Sequence, residues 1–112
     1  MAQEKTPLQE SCIAFAEKKL CAGATWEDST SYSRDDKNKI PNMFSTRVGE
    51  HRITITCGHR DYRPLWVFHC FSLGFDTKTL PSGLTAEQAA TLAISLCKIK
   101  VNKLAEDFSK VG

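Results

Sequence analysis

Apolar residues recur at three- and four-residue steps near the start of the chain, at Leu8, Cys12, Phe15, Ala16 and Leu20, while Glu10, Glu17 and Lys18 take the other side. That period belongs to a helix with one face to bury. Thr6, Pro7 and Gln9 supply an N-cap, a first-turn proline and a capping-box acceptor, and Gly23 a stop, so the helix is predicted over 7–22.

The stretch 27–42 is nearly all polar, with Ser29, Thr30, Ser31 and Ser33, a charge run over 34–39, and Pro41 and Asn42 at its end. It reads as a loop. Trp26 and Tyr32 stand out there. A large aromatic in a polar loop either anchors it to the core or meets a partner, and anchoring is the expectation.

From 44 onward the period changes to two. Ile53, Ile55 and Cys57 alternate with Arg52, Thr54 and Thr56, as in a half-buried strand. Gly49 and Glu50 provide a tight turn back to a strand holding Phe44, Thr46 and Val48. A longer loop over 58–64 leads into a strand over 65–75 that is apolar on both faces, with Leu65, Val67, Phe71 and Leu73 on one and Trp66, Phe68 and Cys70 on the other. A three-stranded antiparallel meander within 44–78 is the simplest product.

After the breakers Pro81 and Gly83, Thr85 as N-cap and Gln88 as its reciprocal partner open a long helix predicted over 85–108. Two stripes run along it. Ala90, Ile94, Cys97, Val101, Leu104 and Phe108 alternate steps of four and three like a coiled-coil seam and are expected to cover the sheet; Leu92, Leu96 and Ile99 form a second stripe for helix one or another copy of the chain.

The expected fold is therefore α+β in two layers: N-terminal helix, three-stranded antiparallel meander and long C-terminal helix, α-β-β-β-α, with one sheet face covered and the other free. In element order alone this resembles the double-stranded-RNA-binding domain. That family carries a lysine cluster at the start of its second helix, whereas this chain has Thr85, Ala86, Glu87 and Gln88 there, so no membership follows.

A length of 112 residues suits a single domain, 1–112, and 41% hydrophobic with 25% charged residues suffices for a core. The net charge of +2 is too small for bulk attraction to polyanions or membranes, so any electrostatic function must be local. Neither a signal-peptide-like apolar run near the N-terminus nor a stretch of membrane-spanning length is visible. Five scattered cysteines, Cys12, Cys21, Cys57, Cys70 and Cys97, suit buried thiols in a reducing compartment, and a cytoplasmic location is expected.

Candidate chemistry is sparse. Cys57, His59, His69 and Cys70 have zinc-ligand side chains, but His69 and Cys70 are consecutive in a strand and point to opposite faces, so no metal site is expected. Cys57 with His59 or His69 and Asp61 has the residue types of a cysteine nucleophile but no catalytic turn, and no glycine-rich phosphate loop occurs. Neither an enzyme nor a cofactor is expected.

Four of the five arginines, Arg47, Arg52, Arg60 and Arg63, and two of the three histidines, His51 and His59, fall between 47 and 63. With Ile53 and Ile55 inward, Arg52 and Thr54 face out, and guanidinium and hydroxyl donors suit carboxylates and phosphates. Arg47, His51, Arg52, Thr54, His59, Arg60, Tyr62 and Arg63 are thus the candidate partner-binding residues. The expected function is a small non-enzymatic binding protein, an inhibitor or accessory factor of the kind a phage or mobile element encodes, docking on a protein or nucleoprotein through these hairpins. Two alternatives stand beside it: nucleic-acid binding by the same arginines, and a self-associating module whose homodimer forms through Leu92, Leu96 and Ile99.

Overall fold

The first helix of the computed structural model, which describes residues 7–30, 40–57 and 65–111, ends earlier than its apolar pattern predicts. α1 spans Pro7–Lys18. Lys19 turns left-handed, with φ 63°, and donates its N–H to the Phe15 carbonyl at 2.9 Å. The chain then forms a small hairpin of β1 (Leu20–Cys21) and β2 (Ala24–Thr25). Its two-residue turn, Ala22–Gly23, has φ of 52° and 78°, the signs a type I′ hairpin requires. Gly23 therefore serves this turn and is no helix stop.

Trp26 is the anchor expected of it. It is buried, its indole N–H donates to the Cys21 carbonyl at 3.2 Å, and its ring meets Phe15 edge-on. Tyr32 lies outside the described residues. The predicted loop 27–42 is zipped at both ends: β3 (Glu27–Asp28) pairs with β4 (Met43–Val48), Ser29 donates its N–H to the Met43 carbonyl, and the Thr30 hydroxyl accepts from the N–H groups of Asn42 and Met43.

β5 (His51–Cys57) follows β4 through the predicted turn at Gly49–Glu50. The strand predicted over 65–75 is a second correction. β6 covers only Trp66–Cys70; a 3₁₀ turn over Phe71–Leu73 ends at Gly74, whose φ of 86° suits a residue without Cβ, and β7 (Phe75–Thr79) returns antiparallel along β6. Apolar alternation alone does not register that reversal. The main sheet is thus five-stranded, antiparallel, in the order β3-β4-β5-β6-β7, in place of a three-stranded meander.

α2 spans Ala86–Ser109 and opens with the predicted capping box, Thr85 and Gln88 bonding reciprocally. Both helices lie on one face of the sheet. Phe44, Ile53, Ile55, Trp66, Phe68 and Cys70 point to that side, where Phe15 from α1 and Ala86, Ala89, Ala90, Ala93, Ile94 and Cys97 from α2 complete the core. Ala86 donates its N–H to Ser11 in α1, and Trp66 donates its indole N–H to the Leu84 carbonyl, which fixes where α2 starts. The fold is α+β, with two helices against antiparallel sheet.

The seam on α2 departs from expectation halfway along. It covers the sheet through Cys97, after which Val101, Leu104 and Phe108 are exposed as the helix runs past the body of a molecule 66 Å long and 23 by 22 Å across. Leu92 and Leu96, predicted as a stripe for helix one or another copy of the chain, are half-buried and packed on the core, while Ile99 is exposed. No described helix is long and apolar enough to cross a membrane.

Candidate functional site

Two-residue periodicity sends Arg52 outward because its neighbour Ile53 is drawn into the core. Strand register then sets its surroundings. Arg47 of β4 stands directly opposite Arg52 of β5, both exposed, and one step along the same face Thr54 stands between Ser45 and His69. Neither guanidinium has an ion pair among the described residues, where the salt bridge found is Lys18–Glu87 at 2.8 Å. Directly opposed like charges destabilise a strand pair, so this arrangement is a cost to the fold.

Continuing that register, β6 would bring a residue beside Arg52 where the 3₁₀ turn takes over at Phe71. Phe71 is 72% exposed and its ring stacks on His69 with centroids 5.8 Å apart. The His69 ring is held by a hydrogen bond from Nδ1 to the Asp76 carbonyl. The outward face therefore combines Arg47, Arg52, Thr54, His69 and Phe71. His69 and Phe71 were absent from the predicted set; strand parity places His69 beside Thr54, and the 3₁₀ turn over Phe71–Leu73 releases Phe71 from the strand.

His51 does not join this face. Being next to Arg52 in the strand it points to the helix side, where Nδ1 bonds the Ser72 hydroxyl at 2.6 Å. His59, Arg60, Tyr62 and Arg63 lie outside the described residues, as does Asp61.

Beyond Ser45 on this face, β3 sets the exposed Glu27 directly across from it. Ser45 is buried and shares a 2.5 Å hydrogen bond with Ser29. The Thr56 hydroxyl is buried with no hydrogen-bond partner among the described residues. The five cysteines are all buried. Burial pushes the Cys12 and Cys97 thiols up to about 12, with nearby Cys57 and Cys70 adding to it. Thiols held neutral in this way make poor nucleophiles and ligands. No group of three His, Cys, Asp or Glu residues converges among the described residues.

No protein-family model, curated protein or solved structure matches the chain.

Proposed function

We propose that the protein is a non-enzymatic binding module that docks on an acidic, partly apolar surface of a larger protein through the outward face of β4, β5 and β6. The observation that carries this reading is the confrontation of Arg47 with Arg52, directly across the strands and without an ion pair among the described residues. Carboxylates of a partner would bridge the two guanidinium groups and turn a repulsive pair into charge-assisted hydrogen bonds. Phe71 beside them supplies the apolar anchor that, with arginine, commonly dominates the energy of a protein interface.

A protein partner fits better than a polynucleotide. Two arginines set among Ser45, Thr54 and Val67 neutralise few phosphates, whereas nucleic-acid affinity grows with the number of phosphates contacted. Docking of this kind suits an inhibitor or accessory factor, because it blocks or bridges a surface with no chemistry of its own.

The test is recovery of bound protein from the cells that make the chain, with wild type and Arg52→Glu side by side, together with binding to duplex DNA and to RNA at physiological salt. The expected outcome is a protein held by wild type and lost by the variant, with no nucleic-acid binding. Steeply salt-dependent binding to DNA or RNA, abolished by Arg52→Glu, would replace this reading with the nucleic-acid one.

A further inference from the structure

We propose that the chain forms a two-fold homodimer in which the projecting ends of two α2 helices pair antiparallel. The spacing that seats Ala90, Ile94 and Cys97 on the sheet continues without a break through Val101, Leu104 and Phe108, with Val111 just past the end of the helix, yet past Cys97 the sheet has ended. Phe108 is 72% and Val111 79% exposed. A lone helix of this length has little stability of its own in water, and an apolar seam on it needs a second surface.

Charge selects the orientation and the register. Lys100 and Asp107 both flank the seam on the same side, each one residue before a seam position. In an antiparallel pair, residues at this flanking position meet each other across the interface. Laying Val101 over Leu104 of the second copy sets Lys100 against Asp107 of the second copy, and symmetry repeats the contact. A parallel pair sets Lys100 against Ala105 and forms neither ion pair. Sliding the antiparallel pair one heptad toward the C-termini opposes Asp107 to itself. Lys103, Glu106 and Lys110 stay on the solvated side in the chosen register.

The same register extends the seam onto the body. α2 leaves the sheet where Cys97 lies near Cys70, the last residue of β6, at the end that also holds the β4–β5 turn. Val48, at that turn and on the helix side of the sheet, is 49% exposed. An antiparallel second helix brings its Phe108 back to the level of Cys97, beside this exposed apolar residue. Stable interfaces commonly bury about 1,200 Å² or more in total, and a two-fold seam that continues onto both bodies reaches further toward that area than the projecting turns alone.

Sedimentation equilibrium of the full chain over a wide concentration range tests this. Wild type is expected at twice the chain mass, and Leu104→Glu at the monomer mass with unchanged near-ultraviolet circular dichroism from the buried Trp26 and Trp66, because Leu104 lies outside the core. Lys100→Asp and Asp107→Lys are each expected to weaken the dimer about tenfold, and the double exchange to restore it. A wild-type monomer at every concentration, or a dimer indifferent to Leu104→Glu, would overturn the proposal; failure of the double exchange to recover would overturn its antiparallel register.

Discussion

Thr56 holds a hydroxyl in the middle of the outward face with nothing to bond it among the described residues. An unmade hydrogen bond on a buried group costs on the order of 1–3 kcal/mol, whereas valine has the same shape and an equal preference for strand. Thr56→Val is therefore expected to stabilise the protein by about 1 kcal/mol in urea unfolding, and a loss of stability would mean the hydroxyl has a partner in solution. Ala22 carries a second local cost, since its φ of 52° is one that asparagine tolerates and alanine resists. Ala22→Asn turns the hairpin into the favoured Asn-Gly type and is expected to raise stability by about 0.5–1 kcal/mol. Arg52→Thr removes half of an opposed like-charged pair and should raise the urea midpoint at low salt, with the gain fading as salt is added. Among these three sites, only the arginine pair has a stated role in binding to set against its cost.

The helices and the sheet are joined through buried thiols, and this gives the elements a shared response to alkali. Cys12 in α1 and Cys97 in α2 both hold their protons up to about 12 in the folded state, against 9.0 for an ordinary thiol. The folded pKa is raised, so the stabilisation is fully present below pH about 9 and is lost between about 9 and 12 as the unfolded chain ionises first. Urea midpoints are expected to hold up to pH ~8.5 and fall beyond it, with the fall shallower in a Cys12→Ala/Cys97→Ala chain even though cavities lower its stability at neutral pH. An equal alkaline slope in both chains would place the effect elsewhere. Elements with a strong period were legible from sequence: the β5 alternation, the turn at Gly49–Glu50 and the capping box of α2 follow from local spacing alone. What escaped was decided by reversals of backbone direction. Lys19 and Ala22 adopt left-handed φ with no glycine at either position to mark it, and Phe71 to Gly74 break a run whose apolar alternation continues unchanged. The outward face is legible as far as Arg47, Arg52, Thr54 and His69, because strand parity sets them; Phe71 depends on the break, and His51, expected among the partner-binding residues, lies by the same parity on the helix side.

At the scale of the molecule, one sheet face is consumed by two helices and the other is left with a charged pair, a stacked His69–Phe71 and the exposed Glu27 across from Ser45, while α2 carries the fold's apolar seam beyond its body. The two surfaces are separate, since the seam belongs to the helix side of the sheet and the arginines to its other side. A change on one is thus expected to leave the other intact: Leu104→Glu should not alter docking beyond what the loss of a second copy does to avidity. The most direct measurement of the central claim is the affinity of the recovered protein partner for wild type and for Arg47→Thr/Arg52→Thr. The account predicts an affinity at least about tenfold weaker in a chain whose urea midpoint has not fallen, because the pair serves recognition at the expense of the fold. An unchanged affinity would contradict it and leave the outward arginines as solvated surface.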